Sequence, residues 1–196
     1  MKYIVETAFG ALVLAGGDAR RMGGRSKALL LLEQRSFLAR LEGSFSSFSE
    51  KLLSANSPDL ADGTAFTVVA DRIPHRGPLE GLAAALTICR SDALVVVACD
   101  MPLFPKELAS ALINALGERD AVVCRDREGG LHPLCGVYRK TCLPVMDAML
   151  ASGDFRVRKV LERVSSGEFL LAGTPFPDRV LTNINTPEEL AQLRKT

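Results

Sequence analysis

Apolar residues fall along this chain in two kinds of cluster, and the two kinds alternate. Residues 9–15 are apolar without alternation, which suits a strand covered on both faces in a parallel sheet. Residues 37–48 instead carry Phe37, Leu38, Leu41, Phe45 and Phe48 at close to helical spacing. Residues 51–55 and 66–70 read as two more strands, the second running into Asp71, and 56–63 between them is rich in turn formers. Beyond an irregular stretch at 72–77, residues 78–89 predict a helix with proline at its start and a small-residue face of Gly81, Ala84 and Ala85. Small residues there permit close packing on a sheet or a ligand.

Residues 93–99 form the clearest strand, β-branched in the middle and apolar throughout, so it is expected at the centre of the sheet; it ends in Asp100-Met101-Pro102. Residues 105–116 predict a helix, 121–125 and 131–138 strands joined by a turn at 126–130, 139–150 and 157–164 helices, and 168–171 and 180–182 strands. Thr186-Pro187-Glu188-Glu189 opens the last helix with an N-cap threonine, an N1 proline and acids in the first turn. Strands alternating with helices over two thirds of the chain imply an α/β, three-layer, Rossmann-like domain with a mostly parallel central sheet.

Composition narrows this further. With 196 residues, 47% of them hydrophobic, residues 1–196 are expected to form a single domain with a real core. A net charge of +1 gives no reason to expect a nucleic-acid or membrane partner, and confines electrostatic function to local clusters. Five cysteines without C-x-x-C spacing, several inside apolar runs, argue against a zinc site or a disulfide framework. The apolar N-terminus carries Lys2 and Glu6 and runs into a glycine loop, so it reads as a buried strand rather than a signal sequence. No apolar stretch is long enough for a bilayer, and the expected location is the cytoplasm.

The strongest local cluster follows the first strand. Leu12-Val13-Leu14-Ala15 breaks into Gly16-Gly17-Asp18-Ala19-Arg20-Arg21-Met22-Gly23-Gly24-Arg25-Ser26-Lys27, with Asp18 as its sole acid against four cations. Glycines let backbone N–H groups approach an anion closely, so a triphosphate is the natural guest. The spacing fits neither the P-loop nor the dinucleotide fingerprint. A glycine-rich βα turn with solvated arginines is the plainer alternative. Ligands of such sheets bind beyond the carboxyl ends of the strands, where the loop, Asp71 and Asp100 are all expected. A carboxylate at the end of an apolar strand is costly unless paired, and magnesium, which takes one or two carboxylates plus water and phosphate, is a suitable partner. Asp100 as a helix N-cap and Asp71 as a turn cap are the structural alternatives.

The order L-A-G-G, R-M-G, then a lysine followed by Leu29-Leu30, resembles the signature of the molybdenum cofactor guanylyltransferases, within the wider nucleotidyltransferases. Cys99-Asp100-Met101-Pro102 is similar to that family's C-D-x-P, Gly77-Pro78-Leu79-Glu80-Gly81 to its G-P-L-x-G, and Asn183-Ile184-Asn185-Thr186-Pro187-Glu188-Glu189-Leu190 to its N-x-N-T-P-E-E-L. The resemblance implies transfer of GMP from Mg-GTP to the terminal phosphate of molybdenum cofactor (molybdopterin), with release of pyrophosphate. It implies nucleotide contacts at Leu14, Ala15, Gly16, Gly17 and Lys27, at Asp71, and at Gly77, Pro78 and Gly81 beside base and ribose. Arg21 and Lys27 are implied to hold the triphosphate, Asp100 the magnesium, and Asn185 to help complete the metal or acceptor site. A turn capped at Thr186 is the alternative for Asn183 and Asn185. L-A-G-G implies GTP over CTP, since a missing Cβ at Gly17 leaves room for a purine.

Two departures stand out: the family usually has serine at the position of Ala19 and often aspartate at that of Ser26. His132 and the basic run Arg156-Val157-Arg158-Lys159 are candidates for the acceptor, against a packed histidine and a solvated helix face. Three rivals remain: a nucleotidyltransferase using CTP, or a sugar-phosphate or phospho-acid acceptor; a non-catalytic nucleotide-binding subunit of molybdoenzyme maturation; and, disfavoured by its missing fingerprint, a Rossmann oxidoreductase. Transient contact with cofactor-synthesis or molybdoenzyme-maturation proteins is also implied.

Overall fold

The computed structural model describes residues 8–16 and 26–193. Strand β1 (Phe9–Leu14) is followed by a short hairpin of β2 (Leu31–Leu32) and β3 (Arg35–Ser36), then helix α1 (Phe37–Ser44), β4 (Lys51–Ser54) and β5 (Thr67–Val69). Helix α2 (Pro78–Ile88), β6 (Ala93–Ala98), α3 (Lys106–Leu116), β7 (Ala121–Arg125) and β8 (Leu131–Arg139) come next. The chain then runs through α4 (Leu143–Ala151), α5 (Val157–Leu161), β9 (Ser166–Leu170) and α6 (Pro187–Leu193).

Seven strands form one sheet in the order β5-β4-β1-β6-β8-β7-β9. β8 alone runs against the others, antiparallel to both β6 and β7, while β7 and β9 pair in parallel. The predicted mostly parallel sheet is therefore present, with β6 in its middle position. Alternate residues explain the three layers. On β1 and β6, Ala11, Val13, Val95 and Val97 face one core with α1 and α3. Leu12, Leu14, Leu94 and Val96 face another with α2, α4 and α5. Period-two alternation with both faces buried is why these strands read as unbroken apolar runs. Each fully buried Leu or Val contributes about 1.5–3 kcal/mol, so the carboxyl ends of β1 and β6 are firmly anchored.

Several predicted elements differ. Residues 180–182, expected as a strand, lie in a 3-10 turn, Asp178–Leu181, that comes after Pro177 and buries Val180 and Leu181 in the core. Two apolar residues, Val180 and Leu181, specify burial, and a turn satisfies it as well as a strand. The helix expected from 139 begins at Leu143, because β8 extends to Arg139 and a 3-10 turn intervenes. The hairpin β2–β3 carries no sequence signal: its turn residues Glu33 and Gln34 take φ of 51° and 65°, positions usually filled by Asn-Gly or Gly. A small third core of Leu32, Phe37, Ile184 and Leu190 fastens the hairpin and α1 to the segment before α6.

Candidate active site

The chain passes from β5 on one side of β1 to β6 on the other, so the strand order reverses at β1, where open α/β sheets bind ligands. The rim there is stitched across three strands. Ala15 N donates to Ser54 O at 2.9 Å and Cys99 N donates to Leu14 O at 3.0 Å.

On the β4 side of β1 lies a cavity of about 300 Å³ lined by Leu14, Gly16, Ser54, Asn56, Asp71, His75, Gly77 and Pro78. A Cβ on Gly16 would meet no atom of the described residues within 4 Å, so on their side this backbone is open to a ligand. Gly77 takes φ of +69° immediately before Pro78 at the start of α2, a conformation glycine adopts without strain. Asp71 N donates to Asn56 Oδ1 at 3.3 Å, and Asn56 Nδ2 donates to Asp71 Oδ2 at 3.4 Å. Burial raises the Asp71 carboxyl above its ordinary value, the Asn56 hydrogen bond opposes this, and the nearby Glu80 charge adds to it. Gly81 is buried one helical turn below the cavity. A Cβ there would stand 2.1 Å from Ser54 Oγ, so glycine is what lets α2 lie against the end of β4.

On the β6 side, charged and polar groups converge. Ser26 Oγ accepts from Ala28 N at 3.4 Å and caps the 3-10 turn Lys27–Leu29; serine thus still pins the lysine's segment where the family often has aspartate. Lys27 Nζ donates to Asn185 Oδ1 at 2.6 Å and to Asp100 Oδ2 at 3.4 Å. Asn185 is held by a capping box at the start of α6. Glu189 Oε2 accepts from Asn185 N and Thr186 N at 2.5 and 3.1 Å, and Thr186 Oγ1 accepts from Glu189 N at 3.1 Å. Ile184 N donates to Asp100 O at 2.8 Å, tying this segment to the end of β6.

Asp100 Oδ1 is buried and has no hydrogen-bond partner among the described residues. An orphaned carboxylate oxygen is costly, and its chemistry fits a hard divalent cation. No group of three His, Cys, Asp or Glu gathers among the described residues, which leaves room for the water and phosphate ligands that magnesium retains. The neighbouring Cys99 thiol is pushed up to about 12 by burial, so it stays protonated and is no nucleophile.

Lys27, Asp100 and Asn185 are thus brought together, and Leu14, Gly16, Asp71, Gly77 and Pro78 meet in the cavity next to them. Gly17 and Arg21 lie outside the described residues. Ser54, Asn56 and His75 were not singled out from sequence, although Ser54 and Asn56 sit at the carboxyl end of the strand beside β1, where the same rule for parallel sheets would have found them. His132 Nε2 lies 2.8 Å from Asp126 Oδ2, a bond that holds the Asp126 carboxyl below its ordinary value. Arg156 pairs with its neighbour Asp154 through two contacts of 2.8 and 2.7 Å. That guanidinium lowers the Asp154 carboxyl to about 2.

The chain is similar in sequence and in fold to known proteins. A 192-residue alignment at 31% identity, covering 94% of this chain and 96% of the relative, joins it to a probable molybdenum cofactor guanylyltransferase of Clostridium perfringens. A molybdenum cofactor guanylyltransferase of Pseudomonas putida is 34% identical over 91% of this chain and 94% of its own. In fold, the chain resembles the crystal structure of molybdopterin-guanine dinucleotide biosynthesis protein A from Archaeoglobus fulgidus, with a TM-score of 0.77, 22% identity and coverage of 95% and 97%. The signature of the MobA-like NTP transferase domain matches residues 11–168, spanning β1, both carboxylates and most of the sheet, and the chain belongs to that family.

Proposed function

We propose that this protein transfers GMP from Mg-GTP to the terminal phosphate of a molybdopterin-type acceptor, releasing pyrophosphate. The observation that carries it is the meeting of Lys27, Asn185 and Asp100, with one buried Asp100 oxygen that has no partner among the described residues, beside a cavity of nucleoside size. The names of the relatives support the choice of substrates.

The acceptor brings its own nucleophile, so no serine or cysteine has to attack. An acceptor phosphate oxygen attacks the α-phosphorus, and the bond to the departing pyrophosphate breaks. What the protein supplies is alignment of two anions and relief of their repulsion. Lys27 holds positive charge where both anions meet, and the Asn185 side-chain oxygen, on a backbone held by Glu189, aims that ammonium. Asp100 would hold magnesium through its free oxygen, and the bound ion would withdraw charge from the phosphates. On the other side of β1, Asp71 and Asn56 offer acceptors and a donor to the base. Guanine presents two adjacent N–H donors to a carboxylate, which favours GTP over CTP.

No helix among the described residues is long and apolar enough to cross a membrane. A cytoplasmic location and transient contact with cofactor-synthesis or molybdoenzyme-maturation proteins belong to the same reading and rest on the names of the relatives. Mass spectrometry of the pterin product after incubation with Mg-GTP tests the reading. One added GMP is expected; no adduct, or an adduct formed from CTP instead, would reject it.

A further inference from the structure

The 71–77 segment forms one wall of the cavity without helix or strand, and His75 and Gly77 within it take φ of 67° and 69°. Backbone of this kind keeps a single shape only where its surroundings fix it. Arg72 supplies the fixing. Its Nε donates to Glu80 Oε1 at 2.7 Å, and its Nη2 donates to Asp147 Oδ1 at 3.0 Å. Glu80 is only 1% exposed and stands in the first turn of α2, where the helix N-terminus favours negative charge. Arg72 is its ion-pair partner, and a guanidinium on a buried carboxylate is both strong and directional. Asp147 belongs to α4, so one side chain fastens the loop to two helices. A second fastening lies four residues on, where the Arg76 guanidinium stands 5.7 Å over the Phe155 ring. Asp71, whose carboxylate faces the cavity, is the residue immediately before the clamp. Among the described residues, Arg72 is not one of those that line the cavity.

We propose that Arg72 is a positioning residue for nucleotide binding, clamping the 71–77 loop between Glu80 and Asp147 so that the cavity wall is formed before the nucleoside arrives. The inference rests on the reading that a nucleotide fills this cavity.

Calorimetry with GTP, CTP, ATP and inorganic pyrophosphate, each with magnesium, tests it on wild type, Arg72→Gln, Arg72→Lys and Asp147→Asn. Arg72→Gln is expected to weaken the preferred triphosphate about tenfold, the scale of a lost charge-assisted contact, while pyrophosphate binding changes less than about twofold. Arg72→Lys, which keeps the charge but loses the fork, should recover part of the loss. Asp147→Asn releases only the exposed arm and should weaken the triphosphate about two- to fivefold. A merely structural role would lower the melting temperature and weaken triphosphate and pyrophosphate alike, and that result overturns the inference. So does wild-type triphosphate affinity in the folded variants. Should Arg72→Gln fail to fold, wild-type affinity in both Arg72→Lys and Asp147→Asn is equally decisive. Preference of the wild type for CTP or ATP rejects the proposed GMP transfer but leaves the clamp standing if Arg72→Gln weakens that nucleotide; binding of no triphosphate rejects both.

Discussion

The two sides of the β1 carboxyl end are built in different ways. On the β4 side, neighbouring stretches of chain at 54–56 and 71–78 enclose a space with the end of β1, and its lining carries one carboxylate, one amide and one imidazole among apolar and small residues. On the β6 side, one ammonium meets two side-chain oxygens from positions 73 and 158 residues away in sequence. The contrast separates two jobs that phosphoryl transfer requires: recognising a nucleoside by shape, and managing charge at the reacting phosphates. Substitutions on one side should act on affinity for the base, and on the other on turnover and phosphate binding.

The largest test of this division is Asp100→Ala. If Asp100 holds magnesium as proposed, its loss should cost on the order of several kcal/mol of transition-state stabilisation, read as a fall in kcat, with guanosine binding by calorimetry unchanged. Near wild-type turnover would remove Asp100 from the chemistry. Lys27→Ala comes next: triphosphate affinity should fall by about 1.5–3 kcal/mol, as for a lost charged hydrogen bond, again sparing guanosine. Equal weakening of GTP and guanosine would mean that the two sides are not separable.

Gly81→Ala probes the cavity side through packing. The new Cβ would stand 2.1 Å from Ser54 Oγ and 3.1 Å from Ser54 Cβ, and overpacking should destabilise by about 1–3 kcal/mol. Thermal melts would show this, and Ser54→Gly in the same chain should restore most of it. The smallest effect is expected at Asp71. The folded state holds its proton more tightly than the unfolded chain does, so the ionised carboxylate lowers stability as pH rises from about 4 through the raised value. Asp71→Asn should therefore melt slightly higher at neutral pH, lose that advantage in acid, and bind GTP less well. A melting difference that grows toward acid pH would contradict the assignment.

What the amino-acid pattern disclosed depends on how each element is stabilised. β1, β6 and α2 were legible because continuous burial on two faces, or a proline start with a small-residue face, leaves a trace in consecutive residues. The loop that carries Lys27 and the Asp100 carboxylate could be placed at one rim because each follows an apolar strand of a parallel sheet, whereas Asn185 was reachable only through motif resemblance, because nothing local in it says that it joins them. The reversed direction of β8 was implicit in the short turn at 126–130, which leaves no room for the crossover a parallel neighbour of β7 would need. The hairpin at 31–36 and the turn at 178–181 left no such trace. They are fixed by tertiary partners such as Ile184 and the core beneath the sheet, which outweigh weak local preferences. Arg72 lies in a stretch legible only as irregular, since its partners, Glu80 and Asp147, belong to two separate helices.

The link between Lys27 and Asn185 also has a bearing on biosynthesis. A polypeptide emerges from the ribosome from its amino end, so the lysine is exposed 158 positions ahead of the asparagine that aims it. Until Ile184 has docked on Leu32 and Phe37, the growing protein presents a cation and a carboxylate with no third member to orient them. If Asn185 aims the ammonium as proposed, a chain that stops short of position 185 would carry Lys27 and Asp100 without the group that orients them, and should bind triphosphate less well than the full chain.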